Sequence, residues 1–163
     1  VSDLGEEKNR PIVVLRLRGS VNIRGEVEDT LRLMRLQRRN HATIIDNRHS
    51  NVGMLQKVKD YVTWGDATLE TIDLMLRNRG RTPGNRRLTN EYVNGRLGYK
   101  SIKELAEAVN RSEANLSKMP GLKPVFRLHP PKGGLRKTVK KAYPEGELGY
   151  RGEAVNDLVK KML

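Results

Sequence analysis

The 163-residue sequence has no cysteine, one tryptophan and one phenylalanine. Without cysteine there can be no disulfide scaffold and no Cys-ligated zinc or iron–sulfur site. No stretch approaches the ~20 apolar residues of a membrane-spanning helix. The opening run Val1-Ser2-Asp3-Leu4-Gly5-Glu6-Glu7 is acidic and lacks an apolar centre, so it is not expected to act as a signal peptide. Scarce aromatics argue against an RNA-recognition motif that stacks single-stranded bases. No helix-turn-helix or basic-zipper pattern stands out. A Gly-x-x-x-x-Gly-Lys-Ser/Thr phosphate loop, a Gly-x-Gly-x-x-Gly fingerprint and a Gly-x-Ser-x-Gly elbow are all missing. His41, His49 and His129 have no second ligand at a metal-binding helical spacing, so neither a metal nor a cofactor is expected.

What the chain does have is positive charge: 32 Lys and Arg against 19 Asp and Glu, a formal balance of +13. Residues 77–87 (RNRGRTPGNRR) contain five Arg and no acid, and residues 118–141 contain eight Lys and Arg and no acid. The remaining 19 basic residues match the 19 acidic ones, so the two windows carry the whole excess. A surface tuned for solubility mixes both signs along its length. Acid-free segments rich in Gly and Pro suit arms laid along a phosphate backbone, although each alone also reads as a solvated loop. The polyanion expected from this footprint is nucleic acid. Arg16 and Arg18 alternate with the apolar Val13, Leu15 and Leu17, which predicts a strand with one buried face and both arginines on the other. Arg32, Arg35, Arg38 and Arg39 flank the first predicted helix, where pairing with Glu28 and Asp29 and contact with RNA are equally open readings.

Periodicity predicts an α+β chain. Strands are expected at 12–18, 41–46 and 61–64, and helices at 26–38 and 51–60. This strand–helix–strand–helix–strand unit would have its helices on one sheet face. Asp66 is the expected cap of a third helix containing Leu69, Ile72 and Leu76, with Gly80 in a left-handed end. Thr89–Arg96 predicts a short helix, and Ser101 with Glu104 has capping-box spacing ahead of Ile102, Leu105, Ala106 and Val109. The second window should be extended, with a short strand possible at 125–128, and Glu153–Leu163 closes the chain as an amphipathic helix. The expected organisation is a loose N-terminus (1–10), a core domain (11–65), a helical extension with a basic loop (66–117), an extended basic arm (118–144) and a tail (145–163).

Three stretches in order then resemble a known family: RLRGSVNIRGEVEDTLRLMRLQRRNHATII (16–45), GMLQKVKDYVTWGDATLETIDLMLRNRGR (53–81) and FRLHPPKGGLRKTVKKAYPEGELGYRGEAVNDLVKKML (126–163). Together they resemble the archaeal and eukaryotic branch of the large-subunit ribosomal protein thirty family, called protein seven in eukaryotes. The resemblance implies a small, somewhat ferredoxin-like core with a three-stranded antiparallel sheet, extended by a helical and basic C-terminal part. It implies a structural, non-catalytic role in the large ribosomal subunit in the cytoplasm. The implied partners are large-subunit (23S-type) rRNA, nearby 5S rRNA and neighbouring ribosomal proteins, with no membrane and no small-molecule substrate. The chain lacks the long basic N-terminal extension of eukaryotic members, which favours an archaeal source.

Carried onto this sequence, the expected RNA contacts begin with Arg16, Arg18 and Arg24 in and before the first loop. The first window contributes Arg77, Arg79, Arg81, Arg86 and Arg87. The second contributes Lys118, Lys123, Arg127, Lys132, Arg136, Lys137, Lys140 and Lys141. The arm is expected to order on binding, to weaken its contact towards Glu145 and Glu147, and to be testable by deleting 118–141. Two other classes stay open. One is a general RNA chaperone or nucleoid-type binder, which would bind unrelated duplexes equally well. The other is an acylphosphatase-like hydrolase with phosphate in the Gly19–Arg24 loop.

Overall fold

Strand β1 (Pro11–Arg16) is buried along its whole length. In the computed structural model, which describes residues 10–163, it is the centre of the first three strands. The expected loose N-terminus lies, apart from Arg10, outside the described residues. Helix α1 spans Gly25–Leu33, β2 His41–Asp46, α2 His49–Val58 and β3 Val62–Asp66. β1 pairs antiparallel with both β2 and β3, with Val14 opposite Thr43 on one side and Trp64 on the other.

The sheet does not stop at three strands. Helix α3 covers Leu69–Arg79, and Arg81–Thr82 (β4) and Arg86–Arg87 (β5) form a small hairpin. A short helix α4 (Asn90–Tyr92) runs into a π-helical turn at Val93–Leu97, and α5 follows at Ile102–Asn110. Then β6 (Val125–Arg127) adds antiparallel to β2, and β8 (Gly146–Tyr150) adds parallel to β3. β7 (Thr138–Ala142) lies outside β8, and α6 (Ala154–Met162) closes the chain. The strand order is therefore β6-β2-β1-β3-β8-β7, which corrects the expectation of three strands to six.

Both faces of this sheet are covered, not one. Ile12 and Val14 of β1 pack with Leu31, Met34, Leu36, Leu55 and Val58 under α1 and α2. Val13 and Leu15 pack with Ile72, Met75, Leu105, Val109, Val155 and Val159 under α3, α5 and α6. A strand buried on both sides reads as a continuous apolar run, as Ile12-Val13-Val14-Leu15 does. Gly65 permits the second layer: a Cβ there would lie 2.0 Å from the Gly152 carbonyl oxygen and 2.9 Å from Val155.

Local signals explain the element ends. α1 stops five residues before Arg38 because Met34 leaves the helix and Arg35 takes φ 65°. The Leu36 N–H then closes onto the Leu31 carbonyl at 2.8 Å and drops the Leu36 side chain into the core. The cap of α3 is Thr68, whose hydroxyl accepts from the Thr71 N–H at 3.3 Å, and not Asp66, which ends β3. Gly80 has φ −61°, so it is extended and not left-handed; a Cβ would lie 2.3 Å from the Leu76 carbonyl oxygen. Ser101 does cap α5, accepting from the Glu104 N–H, while Glu104 reaches back to the Lys100 N–H at 2.9 Å. Among the described residues no helix is long and apolar enough to cross a membrane.

Candidate nucleic-acid interface

The end of the sheet at which β1 finishes and β2 begins gathers basic residues from distant parts of the chain. The register brings Leu15 opposite Ala42, and His41 opposite Arg127 on the neighbouring β6. Backbone bonds tie the connecting segments to this end. The Asn40 N–H donates to the Arg16 carbonyl at 2.8 Å, and the Leu128 N–H to the Asn40 carbonyl at 3.1 Å. The His129 and Lys132 N–H groups donate to the Met162 and Lys161 carbonyls at the end of α6. A cleft lined by Leu17, Arg39, Asn40, Pro130, Pro131 and Gly134 runs between these segments. Arg18, Arg38, Arg39, Arg127, Lys132 and Lys161 thus converge, although up to about 140 residues separate them along the chain.

Within this group Arg18 is half-buried and oriented. Its guanidinium lies over the Tyr61 ring at 5.1 Å and donates to the Asp60 carbonyl at 3.3 Å. Such stacking holds a guanidinium flat with its remaining donors outward. Arg24 is exposed at the start of α1, next to a loop in which Val21 is 83% exposed.

Arg16 is a correction. It is 1% exposed and lies inside the structure, not on an open strand face. Its guanidinium donates to the Arg18 carbonyl at 2.8 Å, to the Leu36 carbonyl at 2.7 Å and to Ser20 Oγ at 2.9 Å. Burial pulls its pKa below the ordinary arginine value, and Glu28 and Tyr61 pull it part of the way back. The side chain clips the first loop to the turn after α1. Alternation cannot distinguish an arginine that spends its donors internally from one that faces a partner.

The first window stands apart as the β4–β5 hairpin. Arg86 and Arg87 are exposed; Arg79 and Arg81 are half-buried, and Arg81 donates to the Gly80 carbonyl at 2.9 Å. Arg77 is exposed and paired with Asp73 at 3.1 Å. The two windows meet where the Lys123 N–H donates to the Arg81 carbonyl at 2.9 Å. Lys118 lies elsewhere, in a cleft it shares with Asp46, Arg48 and Glu113.

The arm is already threaded into the fold. Lys132, Arg136, Lys137, Lys140 and Lys141 are exposed, but the backbone beneath them is held. The Lys137 N–H donates to Glu147 Oε1 at 3.1 Å, and the Lys137 ammonium contacts the Pro144 carbonyl and lies over the Tyr143 ring. Glu147 does not oppose RNA at the surface. It is buried and paired with buried Arg151 at 2.8 Å, and Arg151 in turn donates to Thr63 Oγ1 at 2.7 Å.

The basic residues that sequence reasoning left out of its contact set are Arg39 and Lys161, together with Arg38. Arg38 and Arg39 lie just before β2 and Lys161 in the last turn of α6, where the packing of the element ends decides where a side chain goes. Among the described residues no group of three or more His, Asp or Glu side chains is placed to hold a metal.

The model of the family described as Ribosomal protein L30p/L7e matches residues 12–62, the strand–helix–strand–helix–strand unit. Large ribosomal subunit protein uL30 of Archaeoglobus fulgidus is 50% identical over 149 residues, which cover 91% of this chain and 97% of that protein. Its counterpart in Methanopyrus kandleri is 49% identical, over 90% of this chain and 100% of the relative. This chain belongs to the uL30 family. It is a ribosomal protein of the archaeal L30/L7e kind, a structural component and not an enzyme, which removes the hydrolase reading. The match to uL30 proteins runs well past residue 62: only about a tenth of this chain is left uncovered, so β6 and β7 fall within the length shared with these relatives.

Proposed function

We propose that this chain stabilises the large ribosomal subunit by binding folded 23S-type rRNA, near 5S rRNA, through the basic end of the sheet and the two acid-free windows. One observation carries this reading. Basic side chains from the first loop, the turn after α1, β6, the Pro-Gly segment and the end of α6 converge on one end of a rigid sheet. Charge neutralisation then works as it does for other phosphate-binding proteins: lysine and arginine displace condensed counterions, and the gain is entropic. Arg18, Arg24, Arg127 and Lys132 form the first contact region; Arg136, Lys137, Lys140 and Lys141 extend it along β7. Arg77, Arg79, Arg81, Arg86 and Arg87, with Lys123, form the second. Lys118 is the member farthest from both. Arg16 supports the first region from inside. Neighbouring ribosomal proteins and the cytoplasmic ribosome follow from the same reading.

The deletion of 118–141 is not a usable test, because it removes Leu122, Phe126 and Leu128 from the core. Charge substitution is. Replacing Lys132, Arg136, Lys140 and Lys141 by Gln leaves the core intact. It should lower affinity for 23S-type rRNA and reduce the slope of log affinity against log salt by up to about 3.6, at roughly 0.9 per lost phosphate contact. An unchanged slope would remove the arm from the interface. Equal affinity of the unaltered protein for an unrelated duplex would favour the general chaperone.

A further inference from the structure

At this end of the sheet neither Arg38 nor Arg127 makes an ion pair among the described residues, and Glu28, paired with Arg32, acts here only on the buried Arg16. His41 opens β2 directly opposite Arg127 on β6, so the two side chains leave the same face of the sheet side by side. Arg38 approaches from the turn after α1, and Arg16 from the end of β1. The charged groups acting on the imidazole from β1, that turn and β6 are these three arginines, with no carboxylate among them. Like charges placed opposite each other on neighbouring strands destabilise the pair. On its exposed side, where Arg38 and Arg127 flank the imidazole, the arrangement therefore lacks a negative partner.

The hydrogen bonding is incomplete at the same place. His41 Nδ1 is shielded from solvent and has no hydrogen-bond partner. A buried polar atom without a partner calls for an explanation, and an ion that reaches it is one. Arg16 cannot fill the gap, since its guanidinium is committed to the carbonyls of Arg18 and Leu36 and to Ser20. Arg38 and Arg127 are exposed, long and free to close over an incoming anion.

We propose that His41, Arg38 and Arg127 form a cradle for one phosphodiester group of the bound RNA. This rests on the RNA-binding reading above and adds to it a residue that is not a fixed cation. Arg38 and Arg127 supply charge-assisted donors to the non-bridging oxygens, and the imidazole supplies a third donor once protonated. In the free protein, burial first, and then Arg127, Arg38 and Arg16, hold His41 below the ordinary histidine value, so it is neutral near pH 7. A phosphodiester between the arginines removes their repulsion and favours the imidazolium. Binding then takes up a proton, and affinity strengthens as pH falls from the bound-state pKa towards the free-state one. Each unit between those two values is worth about a tenfold change in affinity.

The test measures affinity of the full chain for transcribed 23S-type rRNA at constant salt, from about pH 8 to about pH 5.5, where histidine titrates. The unaltered protein should bind about tenfold tighter at the acid end. His41→Gln should lose most of that slope. A second measurement needs no variant. Imidazole NMR of the unaltered protein should show His41 titrating at higher pH when inorganic tripolyphosphate is added. The backbone amide signals of α2, beyond the other end of β2, should stay unmoved. Tight rRNA binding with a slope that survives in His41→Gln, or a His41 titration that tripolyphosphate does not move, would overturn the cradle and leave the RNA-binding reading standing. No preference for 23S-type rRNA at any pH would overturn that reading, and the cradle with it.

Discussion

The two acid-free windows are alike in sequence and are held by different means. Residues 77–87 are fixed mainly by local contacts, the last turn of α3, a two-residue hairpin ladder and an exposed pairing of Arg77 with Asp73, with one backbone bond from Lys123 to the Arg81 carbonyl. Residues 118–141 are fixed from a distance. β6 is laid against β2, and Lys137 is joined through Glu147 to Arg151 and Thr63 inside the sheet. A local hairpin can present charge without tying its stability to the core. A distant anchor makes the position of the arm depend on a buried ion pair. The first window should therefore tolerate loss of its charges, and the second should be sensitive to residues that never meet RNA.

The sharpest way to break this contrast is to remove one half of the buried pair. Glu147 and Arg151 side chains are 8% and 6% exposed, so Glu147→Leu leaves a cation without a partner in the interior. Breaking such a pair costs about 3–5 kcal/mol. Thermal melting should fall clearly, and the arm should lose protection in hydrogen exchange. Replacing both residues, by Glu147→Leu with Arg151→Met, should recover most of the loss, because apolar substitutes of similar size fill a buried pair's space at little cost. A single variant as stable as the parent would mean that the arm is held by its backbone bonds alone.

The converse holds for the hairpin. Arg86→Gln with Arg87→Gln removes two exposed charges that make no ion pair among the described residues. Stability should stay within about 0.5 kcal/mol per substitution. The slope of log affinity against log salt should fall by up to about 2. A large drop in melting temperature would show that the hairpin is tied to the core as strongly as the arm is.

The same contrast explains how much was legible beforehand. β2 is expected at 41–46 and found there, and the Ser101 cap of α5 is found as expected, because alternation and capping are local signals. The second layer was written in Ile12 and Val14, which lie on the strand face assigned to solvent. β7 and β8 were not recognisable as strands. β7 reads TVKKA and is almost wholly exposed, while β8 is buried but contains Gly146, Glu147 and Gly149. β8 joins the sheet through the distant β3, and no short-range periodicity encodes that pairing. In the candidate interface the two windows stand out by composition. The inward turn of Arg16 and the placement of Arg38 beside His41 depend on where α1 ends, at the left-handed Arg35.

The smallest expected effect lies at the far end of β8, where the segment after the arm is tethered once more. The Tyr150 hydroxyl donates to Asp66 Oδ2 at 2.6 Å, linking the end of β8 to the end of β3. That hydrogen bond first, then burial and the Asp66 charge, push the phenol up to about 12, with Arg10 opposing. The folded-state value is raised above the ~10 of an unfolded tyrosine. The contribution to stability is therefore fully present below about pH 10 and is lost as pH rises through the folded-state value. Tyr150 is 54% exposed, so solvent screening keeps the effect on stability small and the readout must be titration. Phenolate absorbance, with Tyr150→Phe to identify the group, should show it ionising late. Asp66→Asn should bring it back towards the ordinary value while neutral-pH melting barely changes. If Tyr150 ionises at the ordinary value in the unaltered protein, the tether is not made, and the buried Glu147–Arg151 pair is left as the main side-chain anchor between the arm and the sheet.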